Sequence, residues 1–349
     1  MIPANMPSAS VNLAKRDHYL ELDGLRGVLA FMVMGYHFGV NTLVSQMTHG
    51  LVGKGYWAFC VDVFFILSGF VLAVSYFEKR LPSSLYFKKR VARLYPLHIF
   101  AMAIALWFQV MSGAHFSWQK IGLNLLFVQS LFGVDSINTP AWSASLEMYV
   151  PFLCLISYPF IKRLGKTGIW GVFSVFLAAG IWLTLLSVMK QDGLKIARSA
   201  VGLFSGVLLY RIYDSHFRHS VMPERRRQMV FYTLLIGLLA LLGLADKWLG
   251  FAVMLYPVTC LLITLGTQTR SLLSTTPLQW LGRWSYSIYM LHKPVMWGFI
   301  VIYGNRLDGS IPIKMSIIII TLLLSAVTYE FIEKRGGKKI NQLLGSARG

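Results

Sequence analysis

The sequence predicts an all-α transmembrane bundle of about ten spans with both termini in the cytoplasm. Three observations carry that expectation. Of 349 residues, 56% are hydrophobic and 13% charged, about half the charged share of a soluble domain. Stretches long enough to cross a hydrocarbon core of about 30 Å as helices of roughly 20 residues fall at 25–43, 57–77, 94–111, 142–161, 168–189, 197–212, 229–245, 249–267, 284–304 and 312–332. Lys and Arg alternate between the two sets of loops: 24 belong to the set containing both termini and 8 to the other. The excess marks the cytoplasmic side.

In chain order, residues 1–17, "MIPANMPSASVNLAKRD", lack an apolar core after a basic start. They read as a flexible cytoplasmic tail and not as a cleavable leader. Span one carries Arg26 at its mouth and His37 eleven residues on, about 16 Å deeper at 1.5 Å per residue. Span two carries Asp62, roughly 8 Å below the outer face by the same rise. The basic run 78–93 leads into span three. Its Arg90 and Arg93 stand three apart and so share a helix face. The apolar stretch 118–133 is too short to span and reads as re-entrant or interfacial. Span four carries Glu147, roughly 9 Å below the outer face. Spans five to eight are almost wholly apolar, the sixth being short. Span nine holds His292 and Lys293, and span ten ends in Glu330 and Glu333. Residues 336–349 read as a second cytoplasmic tail.

Cys60, Cys154 and Cys260 all lie in apolar stretches with no CxxC spacing, which points to no disulfide framework and no zinc or other metal site. The formal charge of +19 is spread over short loops between spans, so nucleic acid is not expected as a partner. Topological bias and an anionic ligand remain as its two explanations.

His37, Asp62 and Glu147 are expected in one layer, on three different spans. Ionisable groups at that depth face the bundle interior, pair, and mark functional paths. A histidine oriented by a carboxylate is the minimum kit for general base catalysis. The same groups would serve a proton-coupled transporter, or a buried structural network between helices. Against the transporter, no pair of Gly/Pro-broken spans recurs in corresponding halves.

Six stretches, in order, resemble the membrane-bound acyltransferase family 3: "LDGLRG" followed by His37, "DVFFILSGFVL", "KKRVARLYPLH", "TPAWSASLEMYVPF", "LGRWSYSIYMLHKPV" and "TYEFIEK". The resemblance covers about residues 18–335. It implies a multi-pass enzyme of the bacterial inner membrane that moves an acyl group, often acetyl, from cytoplasmic acyl-CoA. The acceptor would be a hydroxyl of a glycan, a lipid-linked saccharide or a small molecule. By the same resemblance Arg26 and His37 are the essential pair, with Glu147 as the carboxylate beside them. Arg90 and Arg93 face the CoA phosphates. Tyr286, Tyr289 and His292 belong to a motif in span nine with a supporting role, and Asp62 is a weaker supporting candidate. No tightly bound cofactor is implied; acyl-CoA is the donor substrate. The chain ends soon after span ten, so any acceptor is expected to bind the membrane domain or a separate partner.

Overall fold

A computed structural model describes residues 19–50, 55, 57–77, 82–190, 194–219, 222–244, 250–304 and 310–343. The predicted N-terminal tail lies outside the described residues. So do Lys54, Lys79, Arg80, Lys247 and Arg306, which entered the charge count.

The described residues form helices and turns with no strand. The helices are α1 (Leu20–His37), α2 (Val40–Met47), α3 (Cys60–Leu72), α4 (Ser83–Met111), α5 (Trp118–Leu125), α6 (Ala141–Tyr149), α7 (Pro151–Arg163), α8 (Lys166–Lys190), α9 (Lys195–Ile212), α10 (Glu224–Leu244), α11 (Gly250–Gly266), α12 (Thr276–Tyr303), α13 (Ile311–Thr328) and α14 (Arg335–Leu343). Among the described residues, 6 helices are long and apolar enough to cross a membrane, or up to 7 if the bent pair α1–α2 is one span.

Two seams organise the bundle: α1 lies along α12, and α3 lies along α9. Small residues make both close. A Cβ on Gly206 of α9 would collide with the backbone of Ile66 and Phe70 on α3, and a Cβ on Gly69 with the backbone of Leu203. The core between the seams is aliphatic and aromatic, with Leu25, Leu29, Phe65, Ile66, Phe70 and Leu203 essentially inaccessible.

Span one differs from its prediction. Its helix stops at His37, and the chain turns by 80° into α2. Gly39 permits the turn, with φ of 69°, a left-handed conformation that a residue with a Cβ rarely takes. His37 is therefore the last residue of α1 and not a mid-helix residue. Irregular backbone at membrane depth survives where it lines a cavity, and residues 36, 37, 41 and 42 do line one.

The stretch 118–133 contains two short helical pieces, α5 and a 3-10 turn Gln129–Phe132. It is tied to the bundle at Asn124, whose carbonyl oxygen lies 2.8 Å from His98 Nε2, while Trp118, Leu125, Leu126 and Phe132 stay exposed. Just beyond it, Asn138 Nδ2 donates to the Met290 carbonyl at 2.9 Å. Pro294 explains the second bond, because it has no N–H to offer the carbonyl four residues earlier. Met290 lies midway along α12, so span four starts well inside the protein. The C-terminal segment predicted as a tail begins as α14, packed on α4.

Candidate active site

Three hollows run in series through the helices that carry the predicted residues. The first, about 520 Å³, is basic: Arg26, Lys89, Arg93, Arg283, Lys334 and Lys338 line it, against Asp23 and Glu333. The second is a throat of about 40 Å³ between Arg26, Glu147, Ser285, Tyr286 and Tyr289. The third, about 730 Å³, is lined by Tyr36, His37, Asn41, Trp142, Arg198 and Tyr289, among others. Arg26 is common to the first two, and Tyr289 and Val61 to the last two. The helix α1 thus presents Arg26 at one end of the throat and His37 beyond the other, about 16 Å apart by helical rise.

Val61, Phe64, Phe65 and Ala144 complete the wall of the throat, and its polar side chains are held by hydrogen bonds. Arg90 Nη1 donates to Glu147 Oε1 at 2.9 Å, and Ser68 Oγ donates to the same oxygen at 2.8 Å. Tyr289 and Ser143 share a hydrogen bond of 2.7 Å between their hydroxyls, and Tyr286 donates to the Leu94 carbonyl at 2.8 Å. The Arg26 Nε is buried with no hydrogen-bond partner among the described residues. A buried guanidinium donor without an acceptor is costly, so this one is set to receive a ligand oxygen or a water.

At the far end, His37 is half-buried and stacks on His292, ring centroids 5.0 Å apart and planes 23° apart. His292 is fully buried, its Nδ1 lies 3.3 Å from the Ile288 carbonyl, and its Nε2 has no partner among the described residues. Tyr289 packs edge-on to the His292 ring at 6.0 Å.

These contacts correct three expectations. Glu147 makes no direct hydrogen bond to His37 among the described residues: it accepts from Arg90 and Ser68 at the throat. Glu147 lines the throat and His37 the third hollow, and the helix that carries Glu147 starts just after the Asn138–Met290 bond, beside the middle of α12. Asp62 does not join them either. It is wholly buried and ion-pairs with Arg198, whose Nε donates to Asp62 Oδ1 at 2.9 Å. Arg90 and Arg93 part company: Arg93 lines the basic cavity and Arg90 turns to Glu147. The predicted layer of three titratable groups is thus three separate partnerships.

Arg198 counts among the 8 Lys and Arg of the non-cytoplasmic set of loops, and the sequence does not single it out. The structure puts it in the first turn of α9, over the ring of Phe59 at 4.8 Å. Sequence reading also missed Ser143 as a throat residue, and Arg283, Lys334 and Lys338 on the basic cavity. Only the buried aspartate hinted at the first of these, since a carboxylate in that position requires a cation.

A protein-family model described as an acyltransferase domain matches residues 19–330. The chain belongs to that acyltransferase family. The acyltransferase's curated relatives include O-acetyltransferase OatA of Staphylococcus aureus, 23% identical over 91% of this chain and 57% of the relative. Acyltransferase MdmB of Streptomyces mycarofaciens is 26% identical over 82% of this chain and 80% of its own length. Peptidoglycan O-acetyltransferase OatA of Listeria monocytogenes is 22% identical over 80% of this chain and 50% of its own. The chain thus spans little more than half the length of the OatA relatives. No solved structure matches it significantly.

Proposed function

We propose that this acyltransferase takes an acyl group, acetyl in the first instance, from acyl-CoA at the basic cavity and delivers it to an acceptor hydroxyl at His37. The single observation that carries the reading is the series of hollows, with six cations at one end, a narrow polar throat, and a histidine beyond it. The CoA nucleotide needs counter-charge and finds it around Arg93. The pantetheine arm would pass the throat, which at about 40 Å³ must widen to admit it, and the unpartnered Arg26 Nε would meet its amide oxygens. The thioester then emerges beside His37.

There a ring nitrogen of His37 takes the proton from the acceptor hydroxyl as its oxygen attacks the thioester carbonyl. The tetrahedral adduct collapses, the C–S bond breaks, and the CoA thiolate leaves to be protonated. General base catalysis of this kind contributes about 10²–10⁴-fold. With Glu147 engaged elsewhere, the His37 ring is held by packing between Tyr36 and His292, and Tyr289 backs His292.

The third hollow suits a saccharide. Tyr36, Phe59 and Trp142 offer rings to stack on sugar faces, while Asn41, Thr42 and Thr139 offer hydrogen bonds. The names of the OatA relatives point the same way. The proposed setting is a bacterial inner membrane with ten crossings and both termini cytoplasmic. In that count α1–α2 and α6–α7 are each one broken span, and α3, α4 and α8 to α13 are one apiece. Three of these, α9, α11 and α12, are not among the helices long and apolar enough to cross by themselves: α11 is short, and α9 carries Lys195, Arg198 and Arg211 and α12 Arg283 and Lys293. Of these charges, Arg198 is paired inside the bundle.

The test uses purified protein in an uncharged detergent with acetyl-CoA and soluble peptidoglycan fragments. Free thiol should appear together with base-labile acetyl ester on the fragments. An intact thioester, in protein that binds or moves a solute, would instead support the proton-coupled transporter that the buried titratable groups also allow.

A further inference from the structure

The helix α14 lies beyond the matched acyltransferase domain, which ends at residue 330, yet it walls the basic cavity. Its seat on α4 is specific. Pro96 interrupts α4 and has no N–H for the Ala92 carbonyl. Gly337 is buried against that carbonyl, where a Cβ would stand 2.8 Å from the oxygen, and a Cβ on Gly336 would stand 2.9 Å from Pro96 Cβ. The glycine pair lets α14 lie directly on the turn of α4 that bears Arg93.

That seat fixes which way the rest of α14 faces. Lys334, Lys338 and Asn341 line the cavity, a spacing of i, i+4 and i+7 that keeps them on one helical stripe. Lys339, next along the chain, does not line it. Two of the nearby charges are already engaged: Lys334 Nζ is 2.9 Å from Glu330, and Glu333 accepts from Ser287 at 3.1 Å. Among the described residues Lys338 has no carboxylate within ion-pair distance. It faces Arg93 and Arg283 across a hollow of about 520 Å³, within the usual size of small-molecule sites. Like charges gathered round one cavity repel unless an anion joins them.

We propose that α14 is part of the donor site, with Lys338 binding a phosphate of the nucleotide end of acyl-CoA opposite Arg93. The inference rests on the reading of the basic cavity as the donor entrance. Lysine acts here as a compact point charge for phosphate, where arginine grips in a fork. It implies that the C-terminal helix sets donor affinity although it lies outside the acyltransferase domain proper.

The test compares the full-length wild type with Lys338→Ala, Lys339→Ala and Arg93→Ala in uncharged detergent. Binding of CoA and of dephospho-CoA is measured by calorimetry. Lys338→Ala should weaken CoA ten-fold or more and Lys339→Ala should leave it unchanged, though both remove one charge from one helix. A loss confined to CoA and absent with dephospho-CoA would assign Lys338 to the 3′-phosphate; an equal loss with both would assign it to the diphosphate. Lys338→Met, which keeps most of the stem, should reproduce the effect with an unchanged unfolding midpoint. If Arg93→Ala weakens CoA while Lys338→Ala behaves as Lys339→Ala, the cavity is the donor site and α14 has no part in it. An effect of Lys338 that appears only when anionic lipid is added would make it a headgroup anchor and overturn the inference. Failure of the wild type to bind CoA would instead refute the donor reading of the cavity itself.

Discussion

His37→Ala is expected to abolish acyl transfer while the protein still inserts and folds. The ring is half-buried at the end of α1, where the helix breaks and the chain turns away. Its removal enlarges a cavity that already holds about 730 Å³ and breaks no side-chain hydrogen bond among the described residues, so the fold has little to lose. The chemistry loses its base. The fall should be at least the roughly 10²–10⁴-fold contributed by a positioned general base, and larger if the imidazole itself carries the acyl group. His37→Gln, which keeps some polarity but cannot take the proton, should be equally inactive. Turnover of acetyl-CoA in detergent, beside an unfolding curve, measures both halves. Normal turnover in either variant would remove His37 from the mechanism.

Arg90→Ala is expected to be among the most destabilising single changes in the protein. Arg90 and Glu147 form an ion pair of 2.9 Å with side chains only 14% and 21% exposed. Removing one partner leaves the other charge buried without compensation, which typically costs about 3–5 kcal/mol. Glu147→Ala should cost a similar amount, softened because Arg90 also lies over the Tyr86 ring at 5.3 Å. The double change Arg90→Met with Glu147→Leu should recover much of the stability, since a buried pair exchanged for apolar groups of like volume is often near neutral. It should not recover turnover, because the throat would lose its polar wall. Unfolding midpoints for the two singles and the double would decide the matter. Additive losses would show that the pair is not coupled.

What was legible in the sequence was whatever periodicity and charge record. The apolar stretches, the basic mouth and the order of the motifs lead to an all-helical membrane acyltransferase. They also lead to the correct helices for Arg26, His37, Glu147, Tyr289 and His292. What was not legible was which hollow each side chain lines. One proline, Pro294, frees a carbonyl that anchors Asn138 halfway along α12, and residue counting does not show that Glu147 then lines the throat and not the hollow beside His37. Likewise Gly39 ends span one early and puts His37 at a helix end. The partners of the charges were hidden for a different reason. An arginine at the start of a helix reads as a topological anchor, and only the packing of α3 on α9 turns Arg198 onto Asp62. The role of α14 was invisible because a short, basic, glycine-containing segment has the composition of a tail. Its seat exists only once Pro96 has opened the surface of α4.

In the proposed reaction the donor reaches His37 through the throat and the acceptor reaches it from the opposite face, through the third hollow. The most direct measurement gives radiolabelled acetyl-CoA, which does not cross a bilayer, to sealed inside-out and right-side-out vesicles from bacteria producing the protein. Both kinds carry the native acceptors. Label should enter base-labile esters in the inside-out vesicles, where the basic cavity faces the medium, and not in the right-side-out ones. His37→Ala vesicles should stay unlabelled in both orientations. Equal labelling of right-side-out vesicles would contradict the account, because it would place the donor and His37 on the same side of the membrane.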